Sequence, residues 1–270
     1  AGGVRFDRAY TACPLCVPAR RSMATGMLPH NHGHTTNDDV VAARDHRLIF
    51  PGLAAEGYDL YYYGKWHTGA GTAHDYGCKG FSYPGYGNPY LTPEYRAYVE
   101  ARGMDIATFN VEGVFYESAE PPDTPVGPGY RLQLPNNWEH VTGVLETPDD
   151  THESFFLSNL ACDKLRELAR RDGDQPFFLR VDFYGPHPPY LVGADYLARV
   201  DPEAIPEYGS FRDDLADKPR VHTTEYNKPL AREGQLVQPN PLTWDAWQRV
   251  LAHIYAHVTM VDAAGGRILE

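Results

Sequence analysis

Cys13-Pro14-Leu15-Cys16-Val17-Pro18-Ala19-Arg20-Arg21-Ser22-Met23-Ala24-Thr25-Gly26 is the stretch on which the reading of this chain turns. Its Cys-x-Pro-x-Arg spacing, from Cys16 to Arg20, predicts a nucleophile on a turn into a helix. Pro18 suits a first helical turn because its missing N–H would have no partner there anyway, and Arg20 lies one turn in. A side chain at Cys16 then faces open backbone N–H groups and the positive end of the helix dipole, which favours a thiolate and binds tetrahedral oxyanions. The pentapeptide alone fits a buried small hydrophobe at Cys16 equally well. Cys13 and Cys16 also form a Cys-x-x-Cys pair. A thioredoxin-like motif should follow a strand in a small βαβ domain, however, and a zinc site needs a second ligand pair, which the solitary Cys78 and Cys162 do not offer.

Three more blocks follow in order. Gly57-Tyr58-Asp59-Leu60-Tyr61-Tyr62-Tyr63-Gly64-Lys65-Trp66-His67-Thr68-Gly69 starts as an aromatic strand and ends as a Gly-bounded loop with a cation and an imidazole side by side. By itself Lys65 fits a solvated charge and His67 a hydrogen-bonded loop histidine. Pro176-Phe177-Phe178-Leu179-Arg180-Val181-Asp182-Phe183-Tyr184-Gly185-Pro186-His187-Pro188-Pro189-Tyr190 is an apolar strand running out into a proline-bracketed loop. Ligands of open α/β sheets bind where strands end, so His187 stands where a catalytic imidazole belongs, its backbone restricted by prolines on both sides. The last block, Tyr255 to Leu269, closes a helical pattern that starts near Thr243. Leu251, Ile254, Val258, Val261 and Ile268 recur at helical spacings, predicting one buried face. Asp262 and Arg267 read as solvated or capping charges there, and Gly265-Gly266 as permitting close helix packing.

Cys16 to Arg20 with Ser22-Met23-Ala24-Thr25-Gly26 and Pro29-His30 resembles the type I sulfatase signature, and the other blocks resemble that family's in the same order, from Val4 to Leu269. The resemblance implies that Cys16 is oxidised to formylglycine, whose hydrated aldehyde carries two hydroxyls on one carbon. A sulfated serine could leave only by further attack at sulfur, whereas a sulfated hemiacetal expels sulfate by breaking its own C–O bond. It further implies that Lys65 contacts the sulfate oxygens, that His67 hydrogen-bonds the formylglycine, and that His187 contacts the sulfate and protonates the leaving oxygen. Arg20 and Lys65 concentrate positive charge at the site. Cys16, Pro18 and Arg20, the positions needed by a formylglycine-generating maturation enzyme, are intact, while Val17 and Ala19 replace small polar residues common in the family. One divalent metal, calcium by resemblance, is implied as well, with the modified Cys16 as a ligand and carboxylates that this chain does not supply. Asp38-Asp39 follows the signature helix instead of preceding it and reads as a surface turn.

The expected fold is the α/β alkaline-phosphatase-like sandwich, a mixed, mostly parallel sheet with helices on both faces, truncated at both ends. A helix over 152–171, with Phe156, Leu160, Leu165 and Leu168 on one face and Arg170-Arg171 before Gly173, feeds the strand at 177–183, and a second strand covers 58–63. Residues 1–270 read as one incomplete catalytic domain with loop insertions near 70–150 and 191–241. The natural start is expected to be missing, and Glu270 interrupts the last helix with no turn behind it. The first insertion carries Tyr76, Phe81, Tyr83, Tyr86, Tyr90, Tyr95 and Tyr98, which fit either an aromatic wall for an aryl or sugar group or a packed insertion. Pro121, Pro122, Pro125, Pro128 and Pro135 mark a long loop. His30, His32 and His34 read as a structural loop by the pocket mouth, with zinc as the lesser alternative.

A net charge of −12 in 270 residues argues against nucleic acid or a membrane surface as partner. The 42% hydrophobic content suffices for one large core, and no apolar run approaches the length needed to cross a bilayer. The function expected is hydrolysis of sulfate monoesters of small aryl or sugar substrates, with the fragment alone inactive. A phosphonate monoester or phosphodiester hydrolase, or a binding-only relative, are the alternatives. Four cysteines in no paired framework leave a cytoplasmic or an exported location open.

Overall fold

The computed structural model describes residues 4, 6–37, 47–85, 87–115, 128–133, 135, 141–213, 217–219, 231–232, 235–236 and 243–270. In chain order the principal elements are α1 (Cys16–Thr25), α2 (Pro29–His32), α3 (Ile49–Ala55), β1 (Asp59–Lys65), β2 (Lys79–Tyr83), α4 (Pro93–Ala101), β3 (Thr108–Val114), β4 (Arg131–Gln133) and β5 (Val141–Leu145). They continue as α5 (Glu153–Ala169), β6 (Phe177–Asp182), β7 (Tyr190–Val192), α6 (Ala194–Leu197), β8 (Ala231–Arg232), β9 (Gln235–Leu236) and α7 (Trp244–Leu269). The chain divides into two units, residues 1–87 with 163–183 and residues 88–162 with 184–270.

In the first unit β1 lies between β2 and β6 and runs parallel to both, with Tyr61 opposite Lys79 and Leu179 and Gly64 opposite Ser82 and Asp182. A parallel strand flanked on both sides is covered on both faces, and Leu60 through Lys65 are all buried. Side chains alternate along the strand. Tyr62 meets Phe50 of α3 and Trp66, its ring centroid 6.2 Å and 5.6 Å from theirs. Tyr61 faces Lys164 of α5, whose Nζ lies 5.2 Å from the ring centroid. Helices therefore cover both faces, as the α/β reading expects. Leu48, Leu60, Cys78, Ala24 and Ala73 complete this core.

The second unit is built on a mixed sheet ordered β4-β3-β5-β7. β3 is antiparallel to β4 and β5, β5 is parallel to β7, and the register of β3 shifts between Val111 and Gly113. Among the described strands a wholly parallel sheet is thus found only in the first unit, and the segment 70–150, read from the sequence as loop, contains α4 and three strands of the mixed sheet. These strands are short and pair across long proline-bearing intervals, so their alternation is weak. Tyr90, Tyr95 and Tyr98 are buried here, and Phe81 and Tyr83 are buried in the first unit, so packing and not an open aromatic wall accounts for them. The Tyr95 hydroxyl donates to Thr151 O at 2.8 Å and accepts from Ala107 N–H at 2.9 Å, satisfying its polar end inside the core. Tyr86, Asp38-Asp39, Pro121, Pro122, Pro125 and most of 214–242 lie outside the described residues.

α7 begins as expected, with the Thr243 hydroxyl accepting from Ala246 N–H. Its buried stripe differs from the expected one: Val250, His253, His257, Met260 and Ala264 face inward, while Val258 is 48% exposed. A helix apolar on much of its circumference admits more than one stripe, and packing chooses between them. Close approach to α5 occurs at Ala264, whose carbonyl accepts from the Ser158 hydroxyl at 2.7 Å. A Cβ on Gly265 or Gly266 would meet nothing within 4 Å, which removes the packing role expected for that pair. Arg267 is a structural cation, paired with Asp150 and stacked 4.1 Å over the Phe155 ring.

Candidate active site

Cys16 is the first residue of α1, directly after an extended Leu15 that offers no side-chain cap. The opening N–H groups of a helix are uncommitted to its own ladder. That of Val17 is taken by Asn37 Oδ1 at 3.1 Å. The helix ends at Gly26, at φ +71°, where the glycine N–H closes on Ser22 O at 2.8 Å.

The rest of the pocket comes from the C-terminal ends of β1 and β6, which lie at the same edge because the strands are parallel. Arg20 Nη1 donates to Lys65 O and to Asp182 Oδ2, both at 2.8 Å. Asp182 also receives a forked pair from Arg180, Nε to Oδ1 at 2.8 Å and Nη2 to Oδ2 at 2.9 Å. The Tyr62 hydroxyl lies 2.6 Å from Asp182 Oδ2 and 2.8 Å from Lys65 O. It has one proton, and the charged acceptor at the shorter distance takes it. Burial, reinforced by the Asp182 carboxylate, holds the Tyr62 phenol well above its ordinary range. Asp182 thereby fixes Arg20 and the end of β1 together.

Lys65 is 2% exposed. Burial lowers its ammonium to about 8, the nearby Arg20 cation acts in the same direction, and a Cys16 thiolate opposes them. A cation held so far from water is stabilised by an anion brought beside it. His67 is fully buried and adopts φ +38°, a strained backbone for a non-glycine residue at the exit of β1. His32 and His34 are buried against this region, with His32 Nε2 at 3.1 Å from Ser22 Oγ and a Cβ on Gly69 3.6 Å from His34 Cε1. His30 is exposed.

His187 belongs to the second unit, in the loop from β6 to β7. Its Nδ1 lies 2.7 Å from Pro188 O and 2.9 Å from the Tyr184 hydroxyl. The short contact to a carbonyl assigns a proton to Nδ1, leaving Nε2 as the nitrogen to exchange a proton with a ligand. The first unit therefore gathers Cys16, Arg20 and Lys65 and sets His67 on the loop beside them, while His187 is held separately by Tyr184.

Asp182, Tyr62 and Arg180 escaped the sequence reading. The two-residue spacing of Arg180 and Asp182 on a strand, which puts them on one face, was the available signal. Among the described residues no set of three histidine, cysteine or carboxylate side chains surrounds Cys16, so the side chains at hand do not assemble a metal site there. Cys13, Cys16, Cys78 and Cys162 are all free thiols. Among the described residues no helix is long and apolar enough to cross a membrane.

Comparison with known proteins identifies the family. A sulfatase family model matches residues 1–270. The chain is 28% identical over 228 residues to the uncharacterized sulfatase YidJ of Escherichia coli, covering 82% of this chain and 39% of that protein. It is 26% identical over 283 residues to an arylsulfatase of Clostridium perfringens, covering 99% of this chain and 51% of that one. The chain thus spans about half the length, or less, of these relatives. The phosphonate monoester hydrolase of Agrobacterium radiobacter superposes with a TM-score of 0.61 at 19% identity, over 96% of this chain and 50% of that one, which shows a shared alkaline-phosphatase-like α/β fold. With its four motif blocks in order, a thiol at a helix start beside a buried lysine, and a family model matched from end to end, the chain belongs to the sulfatase family.

Proposed function

We propose that this protein hydrolyses sulfate monoesters of small aryl or sugar substrates through a formylglycine formed from Cys16. The carrying observation is the joint placement of Cys16 at the start of a ten-residue helix and of a lysine 2% exposed at the edge of the adjoining parallel sheet. The family generally uses a metal ion and formylglycine. Calcium is the proposed metal, as a hard cation suited to oxygen ligands. The hydrated formylglycine would supply an attacking hydroxyl, which becomes sulfated, and a second hydroxyl whose deprotonation would re-form the aldehyde as the carbon–oxygen bond to the sulfated oxygen breaks and sulfate leaves.

The chain's own residues supply the rest. The α1 terminus and Lys65 bind the sulfate oxygens, and their attraction grows as charge accumulates there. Arg20, tied to Asp182, holds the first turn of α1 against the end of β1 and adds positive potential. His67 accepts the proton of the unsulfated hydroxyl, whose oxygen stays on the carbon. His187, with Nδ1 held by Pro188 O, donates from Nε2 to the ester oxygen as the S–O bond breaks. A formylglycine-generating enzyme is the proposed maturation partner.

A phosphonate monoester hydrolase is the second reading, favoured by the fold match above. The test takes the full-length protein co-expressed with a maturation enzyme, the mass of its tryptic peptide containing Cys16, and paired assays on sulfate and phosphonate esters of one leaving group. Aldehyde or hydrate mass with faster sulfate turnover is expected. Faster phosphonate turnover would install the second reading, and an unmodified, inactive Cys16 would overturn both.

A further inference from the structure

His152, Glu153 and His257 come together in the second unit, all three buried, with their ligating atoms within 4.8 Å of one another. None of them is among Cys16, Arg20, Lys65, His67 and His187, so a role for this cluster does not depend on the sulfatase mechanism. Glu153 opens α5 and His257 lies within α7. Their hydrogen bonds do not close. Glu153 Oε1 accepts from the Ser154 hydroxyl at 2.7 Å and from Gly185 N–H at 3.1 Å. Glu153 Oε2 and both ring nitrogens of His257 are buried without a hydrogen-bond partner among the described residues. Buried polar groups are rarely left so unless something else meets them.

The spacing indicates what that is. His257 Nε2 stands 3.7 Å from Glu153 Oε1. This is too long for a hydrogen bond. It is close to the separation of about 3.3 Å between two ligands on a tetrahedral zinc, each about 2.0–2.1 Å from the metal. His152 Nε2 donates to Leu191 O at 3.0 Å, the kind of backbone contact that orients a metal-bound imidazole and leaves its Nδ1 lone pair as the ligand. That Nδ1 accepts a 3.2 Å hydrogen bond from Ser154 N–H, which a metal would displace. Space exists as well: a cavity of about one water's size is bounded by these three residues together with Tyr90, Tyr184 and Asn88. Gly185 keeps part of it open, since a Cβ there would overlap the His257 ring at Nε2.

We infer that His152, Glu153 and His257 form a zinc site, with a water in the cavity as fourth ligand. Two imidazoles and one carboxylate suit a borderline metal that accepts four ligands, whereas calcium calls for six to eight oxygens. A Glu153–His257 ion pair alone would leave Oε2 and His257 Nδ1 unsatisfied.

The test uses the whole 270-residue chain. After loading with zinc and dialysis against a weak chelator, one zinc per chain should remain. The cobalt-substituted protein should show visible ligand-field bands without a thiolate charge-transfer band, which separates this site from the four cysteines. Glu153→Gln and His257→Gln should each weaken zinc by more than the roughly 10–100-fold that loss of an outer-shell partner costs. A Cys13→Ser/Cys16→Ser variant should bind zinc as the native chain does. Should the ligand variants fail to fold by circular dichroism, the native chain decides, because zinc must raise its Tm. No retained zinc, a thiolate band, unchanged affinity in folded ligand variants, or a Tm indifferent to zinc would each overturn the assignment and leave water as the occupant.

Discussion

The two units organise buried charge in opposite ways. In the first, Asp182 is saturated: two guanidinium groups and a phenol converge on one carboxylate at the edge of a parallel sheet. In the second, Glu153 sits deeper with one oxygen unpaired beside an imidazole 3.7 Å away. A saturated carboxylate is a structural tie that holds other residues in place, here Arg20 and the end of β1. An unsaturated one at full burial has capacity left for a ligand. Acids withdrawn from solvent can therefore differ in purpose, and the difference lies in the count of donors around them.

The largest effect expected falls on the nucleophile. In the matured full-length enzyme Cys16→Ala should reduce turnover on the order of 10³-fold or more, and Cys16→Ser should release about one equivalent of alcohol and stop. Steady turnover by either variant would take the chemistry away from the first unit. Next come the two carboxylates. By urea unfolding, Asp182→Asn should cost about 2 kcal/mol because it removes the charge shared by two half-buried guanidinium groups. Glu153→Gln, whose amide oxygen can still accept from the Ser154 hydroxyl and Gly185 N–H, loses only the charge assistance of those bonds and should cost about 1 kcal/mol. Equal costs would erase the contrast between the units. Gly185→Ala should destabilise by about 1–3 kcal/mol, since its methyl would overlap the His257 ring.

Lys65 gives a signed pH dependence. Its folded value of about 8 lies below the ordinary 10.5. The pocket therefore loses its cation as pH rises through about 8, and kcat/KM should fall about tenfold per unit above that. Stability should move the other way. Between about 8 and 10.5 the unfolded chain binds the proton more tightly, so stability rises with pH across that window and is lowest below it. Conversion of Cys16 removes the thiolate that supports the Lys65 charge, so the matured enzyme should turn down at lower pH than a Lys65 titration in the unmodified chain. A pH profile of kcat/KM flat from 7 to 10 would remove Lys65 from the anion site. The smallest effect belongs to the His187 loop: Tyr184→Phe should lower kcat about fivefold, about 1 kcal/mol for one neutral hydrogen bond, with KM little changed.

Much of the first unit was legible because its parts are local. Pro18 and the polar spacing around it specify a helix start within one turn, and Tyr61-Tyr62-Tyr63 ending at Gly64-Lys65 announces a strand and its exit loop. The two helices read from periodicity also appear, at Glu153–Ala169 and Trp244–Leu269. Other features were legible only in part. The apolar stripe of α7 was drawn through Val258 because periodicity counts hydrophobes, whereas the fold buries His257 and also His253, whose ring meets Arg249 O and the Glu112 carboxylate. The tyrosines of 76–98 looked equally suited to a surface and to a core until Thr151 O and Ala107 N–H were seen to satisfy Tyr95.

The sequence by itself determined the family and the order in which Cys16, Arg20, Lys65, His67 and His187 are presented, because each block is set by a few consecutive residues whose backbone preferences act locally. Only the tertiary structure decided that Asp182 ties Arg20 to the end of β1, that Lys65 is buried deeply enough for its ammonium to fall to about 8, and that Glu153 meets His257. Those relations join residues distant along the chain, through strand register and helix packing, and their energies come from burial and from donor counts that no local pattern records.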